Sequence, residues 1–190
     1  DDQDNLIDGR AGDDTLDGGL GADTVLGGAG VDMIFASVGA DITDGGTGID
    51  TVDFSGLAVG QSIDVTLDGT NDSAVVIANG DDQILRGVEN VIGTNENDQI
   101  SGDGQQNVLQ SLGGNDVFGA SQGSDIMDGG VGNDTVDYSN LTGVQRINVT
   151  LNGPNVTSVQ VIGGTTDQIS NIENVVGTIG NDTLTGDTQS

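Results

Sequence analysis

From Asp14 to Asp50 an aspartate recurs every nine residues, each time at the end of a glycine-rich hexad. Read from Gly9, the units are GRAGDDTLD, GGLGADTVL, GGAGVDMIF, ASVGADITD and GGTGIDTVD, with Asp14, Asp23, Asp32, Asp41 and Asp50 at the sixth place. Five more units start at Gly93 (GTNENDQIS, GDGQQNVLQ, SLGGNDVFG, ASQGSDIMD and GGVGNDTVD) and carry Asp98, Asn107, Asp116, Asp125 and Asp134. A further unit, GTIGNDTLT from Gly177, brings Asp182. Carboxylates at fixed spacing, set in turns that expose backbone carbonyls, are oxygen donors suited to a hard cation. The chain has no His and no Cys, so a transition-metal centre is a poor fit. An EF-hand needs Glu at its twelfth place, yet eleven residues before Glu89, Glu96 and Glu173 stand Ala78, Leu85 and Ile162. Paired carboxylates can also hydrolyse glycosides. Here every sixth-place residue has a repeat counterpart, whereas catalysis singles out one carboxylate with a raised pKa.

These residues must be positioned by short strands. Each unit splits into a six-residue turn and a three-residue stretch with an apolar centre: Leu16, Val25, Ile34 and Val52, then Ile100, Leu109, Phe118, Met127 and Val136. Glycine at this density costs roughly 1 kcal/mol per residue in a helix, so the helical reading fails. One unit cannot bury its apolar residue alone, and the units must therefore stack. Thr43 stands where an apolar residue belongs, which predicts a local shift with Ile42 turned inward. Arg10, at the second place of its unit, is expected to weaken the outermost site.

A longer period overlies the nonapeptides. The block that opens at Gly9 opens again at Gly93, and Val52-Asp53-Phe54-Ser55 recurs at the same offset as Val136-Asp137-Tyr138-Ser139. The expected organisation is a first repeat over 1–92 (nonapeptides 9–53, then a strand-rich segment 54–92). A second spans 93–176 (nonapeptides 93–137, then 138–176), and a third begins over 177–190. Strands are expected at Ile63–Leu67, Ala74–Ala78 and Leu85–Ile92, and at Ile147–Leu151, Ser158–Ile162 and Ile169–Val176. Two arrangements are open for these segments. Either the solenoid continues with longer loops, or a β-hairpin cap packs on the roll through Phe54, Leu57, Tyr138 and Leu141. Arg86 and Arg146 are expected to pair with nearby carboxylates.

Net charge is −28 with three Arg and no Lys. Nucleic acid and anionic membranes are excluded as general partners, because phosphate contacts need cationic side chains. No apolar run is long enough to insert in a membrane. Such a chain repels itself and stays expanded until something neutralises it.

On these motifs the chain resembles the RTX family, whose unit is G-G-x-G-x-D-x-U-x with U a large apolar residue. The resemblance spans the ten units and the start of the third repeat. It implies an all-β, right-handed parallel β-roll (a β-solenoid) of two tandem 84-residue repeats, with two units per coil and Ca2+ as cofactor. It further implies that stacked pairs of sixth-place residues share ions: Asp14/Asp32, Asp23/Asp41, Asp32/Asp50, Asp98/Asp116, Asn107/Asp125 and Asp116/Asp134, with Asp182 opening the next block. Carbonyls of the turn glycines would assist: Gly19, Gly21, Gly28, Gly30, Gly39, Gly46, Gly48, Gly114, Gly123, Gly130 and Gly132. The function it implies is a calcium-binding structural module of a secreted bacterial surface protein, of adhesin or surface-layer type, without enzymatic activity. Such a protein passes through type I secretion unfolded and folds on meeting external calcium. The alternative is a non-catalytic accessory domain of a secreted metalloprotease, lipase or alginate epimerase. Beyond calcium ions, cell-surface polysaccharide and other copies of the parent protein are open as partners.

Overall fold

After each sixth-place residue the backbone extends for three residues, and the pleat sends the eighth place inward with the seventh and ninth outward. The computed structural model describes residues 2–141 and 145–187. The first stretch forms β1 (Leu6–Asp8), β2 (Thr15–Asp17), β3 (Thr24–Gly30), β4 (Met33–Phe35), β5 (Ile42–Gly48) and β6 (Thr51–Asp53). Successive strands alternate between two sheets. In one, Ile7 faces Val25 and Val25 faces Thr43; in the other, Leu16 faces Ile34 and Ile34 faces Val52. All these pairs are parallel, and each joins a unit to the next but one, so two units make one coil.

Thr43 keeps the register and is buried at 3% exposure, while Ile42 is only half-buried. The expected shift of the fourth unit does not occur. The parallel ladder on either side fixes the position of residue 43, and a one-residue slip would turn the whole strand over.

The segments between blocks follow neither expected arrangement. β7 (Ile63–Thr66), β8 (Ser73–Ile77) and β9 (Gln83–Arg86) form an antiparallel meander, followed by β10 (Asn90–Ile92) in the opposite sheet. The meander sits inside the first sheet. β9 pairs parallel to β5, and β7 pairs parallel to β11 (Gln99–Ser101), the first strand of the next block. Residues 85–92, expected as one strand, divide at the buried Val88. Strict alternation drives the insertion: Ile63, Val65, Val75, Ile77 and Leu85 point inward from three adjacent strands. Phe54 lies fully buried in the same core.

The second block repeats the plan with β12 (Val108–Gln110), β13 (Val117–Gly119), β14 (Ile126–Asp128) and β15 (Thr135–Asp137). Its meander is β16 (Arg146–Thr150), β17 (Thr157–Ile162) and β18 (Thr166–Ser170), with β19 (Asn174–Val176) and β20 (Thr183–Thr185) after it. This second meander enters the other sheet. The orders are β1-β3-β5-β9-β8-β7-β11-β13-β15-β19 and β2-β4-β6-β10-β12-β14-β18-β17-β16-β20. Counting a meander as one visit, a repeat from β2 to β10 visits the sheets seven times, an odd number, so the next repeat begins on the opposite side.

The molecule is thus a parallel β-roll interrupted by two antiparallel meanders, with no helix among the described residues.

Candidate metal centre

The strand register carries the sixth places into two columns, one along each edge of the roll. Within a column every carboxylate reaches back one coil. The Asp14 N–H donates to Asp32 Oδ1, and the Asp32 N–H to Asp50 Oδ1, both at 2.9 Å. On the other edge the Asp23 N–H donates to Asp41 Oδ1 at 2.9 Å. In the second block the Asp98 N–H donates to Asp116 Oδ1 and the Asp116 N–H to Asp134 Oδ1, each at 2.8 Å, and the Asn107 N–H to Asp125 Oδ1 at 3.0 Å. All six pairs that the family resemblance implied are therefore stacked neighbours. Asp182 accepts the Ile147 N–H at 2.9 Å and starts the next ladder across the meander.

The columns do not stop at the nonapeptides. Glu89 Oε2 accepts the Asp50 N–H and Glu173 Oε2 accepts the Asp134 N–H, both at 2.8 Å. Asp167 Oδ1 accepts the Asp125 N–H at 3.1 Å. Sequence reasoning missed these three. The signal was present, since each acid stands two places before a strand's central apolar residue (Val91, Val175 and Ile169), the same offset as in the nonapeptides. The fifth place carries a smaller ladder of its own. Asn97 Oδ1 accepts the Asn115 N–H at 2.7 Å, and Asn115 Oδ1 accepts the Asn133 N–H at 2.9 Å.

The second carboxylate oxygen divides the turns into two kinds. Asp14, Asp23, Asp32, Asp50, Asp116 and Asp134 each keep a buried Oδ2 with no hydrogen-bond partner. In all six of these turns the second-place residue has positive φ: Arg10 at 72°, Gly19 at 89°, Gly28 at 108°, Gly46 at 99°, Leu112 at 70° and Gly130 at 79°. The remaining turns have Ser, Thr or Asp at the second place, without positive φ, and close on themselves. Ser37 Oγ donates to Asp41 Oδ2 at 3.1 Å and Ser121 Oγ to Asp125 Oδ2 at 2.8 Å. Thr94 Oγ1 donates to Asp98 Oδ1 and Thr178 Oγ1 to Asp182 Oδ1, both at 2.9 Å, and the Thr94 N–H satisfies Asp98 Oδ2 at 2.7 Å. Asn107 Oδ1 accepts the Asp103 N–H at 2.9 Å, and its amide donates to the Glu89 carbonyl at 2.8 Å.

Arg10 therefore belongs with the open turns. It takes the left-handed conformation that glycine takes elsewhere, and its side chain lies out in solvent beside Asp8, 3.5 Å away.

The glycines leave room for this stacking. A Cβ on Gly28, Gly46 or Gly130 would fall on the second-place carbonyl one coil earlier, that of Arg10, Gly28 or Leu112. At the fourth place Gly21, Gly30, Gly39, Gly48, Gly114, Gly123 and Gly132 meet the carbonyls of Gln3, Gly12, Gly21, Gly30, Glu96, Gln105 and Gly114 in the same way. Gly19, at φ 89°, supplies the left-handed second place of its own turn. Rows of carbonyls thus run along the edges beside the rows of carboxylates.

Burying unpaired charge is costly, and the carboxyls respond. Burial pushes Asp116 up to about 6 against hydrogen bonds that lower it, with Asp134 and Asp98 adding repulsion. Burial likewise raises Asp41, Asp50, Glu89, Asp98, Asp125 and Asp134. Asp167 is raised to about 6, first by burial, although the Tyr138 hydroxyl donates to its Oδ2 at 3.0 Å. Neither Arg86 nor Arg146 relieves the columns. Arg86 pairs with exposed Asp72, its Nη2 3.1 Å from Oδ2, while no described carboxylate lies within ion-pair reach of Arg146. Buried oxygens that lack any donor, beside stacked carbonyls, fit a hard divalent cation in kind.

Comparison with known proteins agrees. The family model for the RTX calcium-binding nonapeptide repeat matches residues 1–25, 18–52, 84–118, 104–136 and 170–189, well over half of the chain. No curated protein matches the chain. Among solved structures, the extracellular lipase LipA from Serratia marcescens aligns at 14% identity with a TM-score of 0.29, covering 90% of this chain and 37% of that one. The chain belongs to the RTX calcium-binding nonapeptide-repeat family, whose repeats bind Ca2+.

Proposed function

We propose that the chain is a calcium-folded structural module of a secreted surface protein, a stalk segment whose length and stiffness are its function. The six unpartnered Oδ2 atoms support this reading above all. Asp14, Asp23, Asp32, Asp50, Asp116 and Asp134 would hold calcium together with carbonyls of the glycine turns, and the ion would neutralise charge that now repels along each column. The glycine-rich turns give the unfolded chain no preformed site, so binding free energy becomes folding free energy. Extracellular calcium modules work at about 10⁻⁴–10⁻³ M, far above the calcium level inside a cell. The chain would pass through a type I exporter extended and fold outside.

The stalk reading draws support from the junctions. Strand pairing runs unbroken from one block into the next through β7–β11 and into the third through β16–β20, so tandem repeats share continuous sheets. A circular dichroism titration tests the proposal. Strand signal should be weak in chelator and appear cooperatively at sub-millimolar to millimolar calcium, with magnesium a poor substitute because it demands a tighter octahedral shell. Equal strand signal with chelator and with calcium would refute it.

A further inference from the structure

Eleven turns separate into two classes by one residue. Wherever the second place holds Gly, or Arg10 or Leu112 in glycine's left-handed conformation, the sixth-place Oδ2 is left without a donor; wherever it holds Ser, Thr or Asp, that residue donates a hydrogen bond to the sixth-place side chain of its own turn. We propose that the second place of each unit decides whether its turn takes a calcium ion, so that six turns bind and five hold themselves without metal. This rests on the calcium reading above and narrows it to particular turns.

The physical reason is competition for one oxygen. A hydroxyl held at about 3 Å from the carboxylate supplies the positive pole that a cation would otherwise supply, and it comes with the fold. Without positive φ at the second place, the backbone also gives up the turn shape shared by all six open turns.

The turn over 36–41 shows the outcome directly. Gln83, from the meander, puts its amide nitrogen 2.7 Å from the Ser37 carbonyl, 3.4 Å from the Gly39 carbonyl and 3.2 Å from Asp41 Oδ2. Three oxygens converge on a neutral N–H donor, the kind of group that stands in for a cation.

The two blocks therefore differ. Asp14, Asp23, Asp32 and Asp50 give four binding turns in the first repeat, while Asp116 and Asp134 give two in the second. The closing acids Glu89 and Glu173 then serve the Asp50 and Asp134 turns, whereas the expected ions at Asp98/Asp116 and Asn107/Asp125 drop out.

Native mass spectrometry in calcium acetate counts the ions. The wild-type chain should hold six. Ser121→Gly frees Asp125 Oδ2 and should raise the count to seven. Ser37→Gly should leave six, because Gln83 still fills its turn. Carboxyl 13C shifts on calcium addition give an independent reading: Asp32 and Asp116 should move, Asp98 and Asp125 should not. A wild-type count above six with Asp98 or Asp125 responding, or an unchanged count in Ser121→Gly, would overturn the rule while leaving the calcium-folded module intact. A wild-type chain that takes up no calcium at all would remove both.

Discussion

Residues 102–119 make one nonapeptide coil and bury two large apolar side chains, Leu109 and Phe118; the meander from Ile63 to Arg86 buries Ile63, Val65, Leu67, Val75, Ile77 and Leu85. At about 1.5–3 kcal/mol per fully buried aliphatic or aromatic side chain, the meander gains roughly three times as much from burial in little more chain. The coil carries several acidic or amide groups along its edges and little core to offset their repulsion. One region is held chiefly by removing carbon from water, the other by whatever neutralises its aspartates. The roll alternates between these two kinds of segment, and on the proposed reading calcium acts on only one of them.

Chelation should break the contrast most visibly. Hydrogen exchange in excess chelator is expected to cut amide protection far more over 9–53 and 93–137 than over 63–86 and 146–170. Uniform loss or uniform retention across both kinds of segment would contradict the division. Next in size, Leu85→Ala should cost about 2–5 kcal/mol in denaturant unfolding with calcium saturating, because a fully buried side chain leaves a cavity. It should leave the calcium midpoint of the first three units nearly unchanged.

Asp32→Asn probes the other region. It removes a charge stacked between Asp14 and Asp50, and the calcium midpoint should rise about tenfold, the equivalent of one charge-assisted bond. The same variant should be neutral or slightly stabilising in chelator, since repulsion falls with the charge. Loss of stability under both conditions would mean that Asp32 serves packing alone.

Acidity is a further probe of the carboxylate columns. Burial holds Asp116 near 6 when folded against 3.8 for a free carboxyl, so the protonated form favours the folded state. That contribution to the metal-free roll is complete below about pH 4 and lost as pH rises through 6. Calcium requires the ionised form, so its apparent affinity should climb over the same interval. Midpoints titrated at pH 5 and 7.5 should differ, with tighter binding at 7.5; equal midpoints would refute the assignment. Tyr138→Phe tests a single bond. It deletes the hydroxyl bonded to Asp167 and copies Phe54, whose own neighbour at that place is the neutral Gln83. A loss of about 1–3 kcal/mol is expected at neutral pH, shrinking once Asp167 is protonated below pH 5.

Much of the roll could be read directly from spacing. A buried residue two places after each acid, repeated every nine residues, points to short strands, their facing and stacking, whereas two units per coil and the six stacked pairs came with the family resemblance. Two things were hidden. The meanders look like ordinary alternating strands, and alternation alone cannot say whether a neighbour runs parallel or antiparallel; the register of β9 on β5 and β7 on β11 is a non-local choice. The division of the turns was equally obscure, because serine in a glycine-rich hexad looks like any small turn residue. Only with coordinates does Ser37 turn out to reach the carboxylate four places on. Thr43 misled for a related reason: a ladder pinned on both sides tolerates one hydroxyl inside.

The odd count of sheet visits has a mechanical outcome. In the first repeat the meander widens one face by two extra strands, which would make the rod lean; in the second it widens the opposite face, and both faces finish with ten strands. A tandem array built this way straightens itself with every second repeat. It shows the outward side of each meander to left and right in turn, as leaves alternate on a stem, so identical patches on neighbouring copies never compete for the same space.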